Sequence, residues 1–434
     1  MKSFETSPSA GYETESQNYE HGILSEVITK YPEMTELVGD VQFTPEQFAS
    51  SGDQQLTFGQ QFFPEATPDQ LREFERTSLS VVLLHYVRDG KYDEFTQSQP
   101  EATKMQPETF GTIRNFIVNS FDTDEKRDLL EYFIVINDLG KSQNMIAKLK
   151  EHGIETLDHD EVLSGLLKLG LTPSMERFSP EAQENIKNVL AHGINFGQLI
   201  QGECTDYSFN DLANLSPFEK DLMSAEAMMD IAGVAGHANQ KGSIVLNQPT
   251  AENFILGAAA INAFGGKSEL FDNFVMKKAE MLGISEQDHD KRRAIARICL
   301  MMRLNDSGRV VTVEKYMTDN SDALGSLVGE LNITGFENEP AILPYYAPAL
   351  LSNMEEYFKK SGDAASLEST LKIGLPFLNR VFEETRNGQK DQNRQGVITM
   401  MLRDAAAIAG QNPLELEEFH SQVVNEYDSI VGKG

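Results

Sequence analysis

The stretch that most constrains this chain is Glu131–Lys141, which reads EYFIVINDLGK. Its apolar run ends in two short polar residues, Asn137 and Asp138, and Gly140 follows shortly after them. Glycine is typical of a helix C-terminus, where the left-handed backbone conformation costs it least. The pattern therefore predicts a helix whose end carries a carboxylate into the interior. Because a buried carboxylate needs a cation or strong hydrogen-bond donors, Asp138 predicts a polar site around itself.

The rest of the sequence predicts helices far more often than strands. Apolar residues recur at helical spacing, and capping sequences such as Thr67-Pro68 and Ser179-Pro180 precede several of these runs. Val397–Ala409 is predicted to be helical, and Gly308–Val313 is the best candidate for a strand. Helices therefore dominate the predicted structure, and the fold class is all-α.

The chain is long enough for more than one domain. Its 434 residues are 40% hydrophobic, which is sufficient for a sizeable core. We predict three regions: an acidic and partly disordered N-terminal region (1–66), a helical core (67–245), and a C-terminal helical region packed on that core (246–434).

Charge and cysteine content restrict the partners and the compartment. The formal net charge of −30 argues against affinity for nucleic acid, whose phosphates it would repel. The two cysteines, Cys204 and Cys299, form no paired motif, so we expect no disulfide framework and a reducing, cytoplasmic environment. The N-terminus lacks the apolar segment of a secretory signal, and no apolar run reaches the length of about 18 residues that predicts a membrane span.

One motif carries a resemblance to a known family. Asn137–Lys141 (NDLGK) resembles the H-D-x-G-K motif of the HD-domain metal-dependent phosphohydrolases, with asparagine in place of the histidine. In that family the ligands follow the order His, His-Asp, His, His, Asp, on separate helices. The corresponding order in this chain is His85, Asn137-Asp138, His159, His192 and Asp230. The resemblance covers about residues 75–245 and implies an HD-domain-like helical bundle with additional C-terminal helices.

The resemblance also implies a chemistry. It implies a divalent metal ion (Mn, Fe, Zn or Mg) held by His85, Asp138, His159, His192 and Asp230. Such a metal lowers the pKa of a bound water and neutralises charge on a phosphoryl oxygen. Asp138 and Lys141 would be catalytic, with Lys141 on the substrate phosphate and Lys241, in a glycine-rich loop predicted to be exposed, as a second phosphate contact. The implied function is hydrolysis of a nucleotide or another phosphate ester.

Asn137 leaves alternatives open, because an amide oxygen binds transition metals less well than an imidazole does. Three alternatives follow: the site accepts Asn137, it uses Glu161 or His237 in its place, or it has lost its metal. Loss of the metal would leave an inactive HD-like scaffold whose acidic surface binds a protein partner. A third alternative is an HD-like di-iron oxygenase.

Overall fold

The computed structural model describes residues 9–41, 43, 56–156, 159–263, 269–337, 339–388, 394–420 and 422–423. These residues are mostly helical, which confirms the predicted all-α class. They form two compact units, one made of the described residues up to Leu190 with Asp221–Glu252, the other of Ala191–Lys220 with the described residues from Asn253 onwards. The predicted regions 1–66, 67–245 and 246–434 remain a prediction. None of the described helices has the length and apolar character that crossing a membrane requires.

The first unit is helical. Up to Lys168 its described helices are α1 (Ser9–Lys30), α2 (Phe58–Phe62), α3 (Pro68–Asp89), α4 (Tyr92–Thr96), α5 (Pro107–Ser120), α6 (Asp124–Asn137), α7 (Gln143–Glu151) and α8 (His159–Lys168). Short 3-10 turns lie at Pro32–Leu37, Glu101–Thr103, Asp138–Lys141 and Pro173–Arg177.

Helix α3 begins and ends as its sequence predicts. The Thr67 hydroxyl accepts a hydrogen bond from the backbone N–H of Gln70, and the Gln70 side-chain oxygen accepts one from the backbone N–H of Thr67, which forms a capping box. At the other end Gly90 takes the left-handed conformation, with φ +75°. Between these ends the side chains of α3 are largely buried, and α3 packs against α5 and α6.

Four helices lie in the stretch of sequence where the chain alternates between the first and the second unit. They are α9 (Pro180–His192), α10 (Phe196–Ile200), α11 (Pro217–Gly233) and α12 (Gln248–Ala263). Of these, α10 lies wholly in the second unit, and most of α11 belongs to the first. A long 3-10 segment, Asp206–Asn214, precedes α11 in the second unit.

The second unit combines helices with a small sheet. Strands β1 (Ala341–Tyr345) and β2 (Val397–Met401) pair in parallel, with Ala341 opposite Val397, and the short β3 (Gln422–Val423) pairs antiparallel with β2. A 3-10 turn at Pro413–Glu418 follows α19 (Arg403–Gln411). In chain order the elements are α13 (Leu270–Met281), α14 (His289–Met301), α15 (Ser307–Asp319), α16 (Gly325–Asn332), β1 (Ala341–Tyr345), α17 (Ala347–Lys360), α18 (Ser366–Gly388), β2 (Val397–Met401), α19 (Arg403–Gln411) and β3 (Gln422–Val423).

Two local predictions in this unit were wrong, the strand at Gly308–Val313 and the first part of the helix at Val397–Ala409. Gly308–Val313 lies inside α15, because the Asp306 side chain caps the helix by accepting from the N–H of Arg309 at 2.9 Å. Val397–Ala409 begins as the buried strand β2 and becomes helical only at Arg403. A continuous apolar run is compatible with either a buried strand or a buried helix, and pairing with β1 decides between them here.

The described part of the acidic N-terminal region contains a long helix. Helix α1 begins at Ser9 and ends at Lys30. The Lys30 ammonium lies 2.6 Å from an Asp128 carboxylate oxygen, and the Tyr31 hydroxyl donates to the Asp128 carbonyl at 3.0 Å. These contacts attach the end of α1 to α6.

Candidate functional site

Three segments of the first unit converge on Asp138: α3, the 3-10 turn Asp138–Lys141, and α11. Thr123 caps the start of α6 by accepting from the N–H of Lys126 at 3.3 Å. The helix ends at Asn137, and Asp138 follows with φ −87° and ψ 0°. The Asp138 side chain is buried, as the sequence predicted.

Gly140 lets this turn approach the first residue of α8. A Cβ built on Gly140 would lie 1.9 Å from the carbonyl oxygen of His159, well inside any real contact distance. The turn and α8 therefore touch backbone to backbone. Only a glycine fits at this position, because there is no space for a side chain. The sequence had suggested a different reason for Gly140, namely a left-handed backbone at the end of a helix.

Gly140→Ala is accordingly expected to destabilise the protein by about 2 kcal/mol or more, because the added methyl group must displace backbone. Gly111→Ala on α5 is the matched control, since a Cβ there meets nothing within 4 Å. The control should be neutral or stabilising by up to about 1 kcal/mol. Urea unfolding of both variants measures the difference, and equal stability of the two would contradict the proposed close contact.

Glycines also bring the end of α11 against α3. A Cβ on Gly233 would lie 2.1 Å from the Ser80 hydroxyl oxygen, and one on Gly236 would lie 2.3 Å from the Glu75 carbonyl oxygen. The loop Gly233–Gly242 was predicted to be exposed, and this prediction was wrong for its glycines. Gly236 and Gly242 are buried against backbone of the first unit, and only side chains such as His237 project outward.

The convergence produces a group of four carboxyl and two cationic side chains. On α3, a carboxylate oxygen of Glu73 lies 2.9 Å from Arg76 Nη1 and 3.6 Å from Lys141 Nζ. Lys141 Nζ also contacts an Asp138 carboxylate oxygen. We call the set the carboxylate cluster: Glu73, Arg76, Asp138, Lys141, Glu226 and Asp230.

Glu226 is the unusual member of the carboxylate cluster. Its side chain is buried, with 8% exposed, and its Oε1 atom has no hydrogen-bond partner among the described residues. It lies four residues before Asp230 on α11, so the two carboxyls share one helix face. A buried carboxyl oxygen without a partner costs free energy, so Glu226 is a position where a ligand or a cation would be stabilising.

The pKa values in the cluster follow from burial and crowding of like charges. Burial, followed by the charges of Asp230 and Asp138, raises the pKa of Glu226 well above its usual range. Burial and the charge of Asp138 raise the pKa of Asp230 to about 6, although Arg76 and Lys141 oppose the shift. Two carboxyls of the cluster thus hold protons more tightly than ordinary acids do.

The neighbouring charges favour the ionised form of the two cations. Burial is the largest single effect and disfavours the charged forms of Arg76 and Lys141, but the surrounding carboxylates, Asp138 foremost, together outweigh it and raise the pKa of both. Both therefore stay charged at neutral pH. Four carboxyls face two cations, so the fully ionised cluster is two positive charges short, and a divalent cation would supply that charge.

The cluster reaches the surface on one side. The side chains of Lys141 and Glu73 are 32% and 24% exposed, whereas that of Asp138 is 4% exposed. A small charged molecule can therefore meet Lys141 from solvent while Asp138 and Glu226 remain behind it.

The structure brings together three predicted site residues, Asp138, Lys141 and Asp230, but not His85. The Nε2 atom of His85 lies 3.1 Å from a Glu131 carboxylate oxygen, and Glu131 also faces Lys30 at 3.6 Å. His85 follows Arg76 by nine residues on α3, which is about 13 Å along the helix. It belongs to a separate ion-pair network between α1, α3 and α6.

The remaining predicted residues of the first unit lie around the cluster without joining it. His159 begins α8 with its side chain 51% exposed and 3.4 Å from an Asp160 carboxylate oxygen. Glu161 accepts a hydrogen bond from the Thr156 hydroxyl at 2.5 Å. Asn137 is half-buried. The sequence also predicts Asp158 as the N-cap of α8, and this residue lies outside the described residues.

The last three predicted residues have other surroundings. His192 belongs to the second unit, where its Nδ1 atom lies 3.5 Å from the Asn214 side-chain amide. His237 and Lys241 are exposed on the loop after α11. The Lys241 carbonyl accepts from the Ser98 hydroxyl, so the backbone of this loop is held while its side chains face outward.

Sequence reasoning missed Glu73, Arg76 and Glu226. Glu226 had a usable signal, because it precedes Asp230 by four residues within an otherwise apolar part of α11. Glu73 and Arg76 had none, since an acid and a base three residues apart are common on exposed helix faces. Only the packing of α3 on the Asp138 turn gives them a role.

The described residues contain no group of three or more His, Cys, Asp or Glu side chains already arranged to hold a metal ion. In the carboxylate cluster, Lys141 and Arg76 occupy positions beside the carboxylates. The atoms near Asp138 that can bind a metal are carboxylate oxygens. The imidazoles of the predicted histidine ligands are not part of the carboxylate cluster.

Together, these features define an all-α protein with a buried, carboxylate-rich site in its first unit. The chain belongs to the family of unknown function DUF6829, whose sequence profile matches residues 31–419. No curated protein and no solved structure matches the chain at a significant level.

Proposed function

We propose that the carboxylate cluster is the active site of a phosphohydrolase that cleaves a nucleotide or another phosphate ester. The observation that carries the proposal is the meeting of four carboxyl groups with Arg76 and Lys141, one of the carboxyl oxygens being buried and unpartnered. Positive side chains stabilise phosphoryl oxygens, and carboxyls bind hard cations or move protons.

The chemistry of the cluster fits a divalent cation. Carboxylate oxygens favour Mg²⁺ or Mn²⁺ over the softer metals that prefer imidazole or thiolate. Asp138, Asp230 and Glu226 would hold the ion, since Glu226 offers the unpartnered oxygen. When bound, the ion would lower the pKa of a water and neutralise phosphoryl charge. The side chains are not yet arranged as a coordination shell, so we assign no geometry to the ion.

Arg76 and Lys141 are the residues proposed to bind the phosphoryl group. Lys141 is partly exposed and contacts both Asp138 and Glu73, so its ammonium can turn from these carboxylates to a substrate oxygen. Arg76 is held by Glu73 through contacts of 2.9 and 3.3 Å. Its planar guanidinium suits two oxygens of one phosphate.

Asp230 is the carboxyl proposed to take a proton from the attacking water. Burial and the charge of Asp138 raise its pKa to about 6 when no ion is bound, and the carboxylate oxygen that does not hold the ion would take the proton. Its position four residues after Glu226 places a second carboxyl beside it on α11. Such pairs of carboxyls with raised pKa values are typical of acid–base sites.

A second candidate function is that of an inactive helical scaffold that binds a protein partner. It is favoured by the lack of a ready metal-binding group among the described residues. In that case Arg76 and Lys141 would be permanent counter-ions of Asp138 and Glu73. Metal binding distinguishes the candidates, because a scaffold of this kind has no need of a cation.

The proposed location is the cytoplasm. Cys204 and Cys299 are both free and buried. Thiols that remain unpaired are typical of a reducing compartment, and this supports an intracellular phosphate ester as the substrate.

Turnover of phosphate esters tests the proposal. The full chain should hydrolyse at least one member of a panel containing p-nitrophenyl phosphate, bis(p-nitrophenyl) phosphate and the common nucleotides, in the presence of Mn²⁺ or Mg²⁺. Excess chelator should abolish the activity, and added Mn²⁺ should restore it. Folded protein that turns over no member of the panel with either metal would favour the scaffold.

A further inference from the structure

A cavity of about 390 Å³ lies in the first unit between α3, α5 and the start of α6. Its apolar wall consists of Leu84, Ile117, Phe121 and Leu130, all of which are buried. Val118 also lines it and is 40% exposed, so the cavity opens to solvent beside this residue. The volume falls within the range of about 300–1,000 Å³ that is usual for small-molecule sites.

Two guanidinium groups line the polar side of the same cavity. Arg88 comes from the last turn of α3, and Arg127 from the first turn of α6. Across the part of the chain that the structure describes, no hydrogen bond or ion pair engages the Arg88 guanidinium. The Glu131 carboxylate acts on Arg88 through its charge, but without direct contact, so the guanidinium keeps its hydrogen-bond donors for a ligand.

The acids at this cavity are already engaged or exposed. Asp89 accepts a hydrogen bond from the Tyr19 hydroxyl. Asp124 contacts Arg127, but its side chain is 95% exposed. Ion pairs at such positions are weak, so Arg127 can exchange Asp124 for a ligand without a large loss.

We propose that this cavity binds a small carboxylate with an apolar body, whose carboxylate group pairs with the guanidinium groups of Arg88 and Arg127. The apolar body would lie against Leu84, Ile117 and Leu130. A planar carboxylate matches the fork of a guanidinium in a bidentate pair. The nearby Asp89 and Asp124 disfavour a dianion such as a phosphate monoester, so a monoanion fits the local charge better.

This site is separate from the carboxylate cluster. Arg88 follows Arg76 by twelve residues on α3, which is about 18 Å along the helix. The lining residues include no member of the cluster. Binding at the cavity can therefore be measured whether or not the chain hydrolyses phosphate esters.

Calorimetric titration of the full chain with octanoate, and with the neutral octanamide, tests the proposal. Octanoate is expected to bind at one site per chain, and octanamide about tenfold more weakly, because the amide lacks the charge-assisted pairs. Arg88→Gln should weaken octanoate binding about tenfold and leave octanamide binding unchanged. Arg72→Gln is the matched control, since Arg72 lies on the same helix but pairs with Asp69 at 3.2 Å outside the cavity.

Val118→Trp provides a test by steric blocking, because a large side chain at this exposed position should fill the cavity mouth and abolish binding of both probes. Circular dichroism confirms that each variant is folded. The proposal is overturned if the wild type shows no saturable octanoate binding, if octanamide binds as tightly as octanoate, or if Arg72→Gln lowers the affinity as much as Arg88→Gln does.

Discussion

Asp138→Asn is expected to lower kcat/KM for phosphate ester hydrolysis by about a thousandfold, within the range that removal of a charged catalytic group produces. Asp138 contacts Lys141, and its charge acts on Glu226 and Asp230. Asparagine keeps the size and one oxygen acceptor but removes the negative charge. A divalent cation would then lose the carboxylate nearest to Lys141.

The control for this substitution is Asp69→Asn. Asp69 is an exposed acid on α3 and pairs with Arg72 away from the cluster, so the activity of this variant should match the wild type. Steady-state kinetics and thermal unfolding should be measured on all three proteins. Wild-type kcat/KM in folded Asp138→Asn would show that the cluster is not the active site.

Arg297→Met is expected to destabilise the second unit by about 3–5 kcal/mol, because it removes a buried donor from several backbone carbonyls at once. Arg297 is 1% exposed. Its guanidinium donates to the carbonyls of Leu331 at 2.5 Å, Cys204 at 2.8 Å and Gly202 at 3.0 Å. Methionine fills similar space but leaves these carbonyls without a donor. Each buried carbonyl that lacks a hydrogen bond costs free energy.

Burial, with the charge of Arg293, lowers the pKa of Arg297 to about 9, so the side chain remains charged at pH 7. Arg293 is itself paired with Asp206 at 2.6 Å. Lys291→Met is the matched control on α14, because Lys291 is exposed and should change stability by less than about 0.5 kcal/mol. Guanidinium unfolding midpoints compare the variants, and a midpoint for Arg297→Met equal to that of the control would refute a structural role for these bonds.

The helix boundaries were largely predictable because capping is local. Thr67 and Thr123 begin α3 and α6, and Gly90 ends α3 with a positive φ. The errors arose where local preference and tertiary packing disagree. The β-branched run Gly308–Val313 forms a helix because Val310 and Val313 face the core at helical spacing after the Asp306 cap. Val397–Met401 forms a strand because β1 is available to pair with it.

The site was predictable only in part, for a similar reason. A carboxylate at the end of an apolar helix and an acid within another apolar helix identified Asp138 and Asp230. The histidines were selected by their order along the chain, which does not determine where helices meet. His85 lies two to three turns from Arg76 and pairs with Glu131 instead. Glu73 and Arg76 join the site only through the packing of α3 on the Asp138 turn, and a local sequence pattern does not reveal such long-range packing.

The most direct test of the central claim is a Mn²⁺ titration of the metal-free full chain, followed by electron paramagnetic resonance of the free ion. We expect about one bound Mn²⁺ per chain in the wild type, at least tenfold weaker binding in Glu226→Gln and Asp230→Asn, and wild-type binding in Asp69→Asn. Saturable binding that is unchanged by Glu226→Gln and Asp230→Asn, or no binding by the folded wild type, would contradict a cation site in the carboxylate cluster.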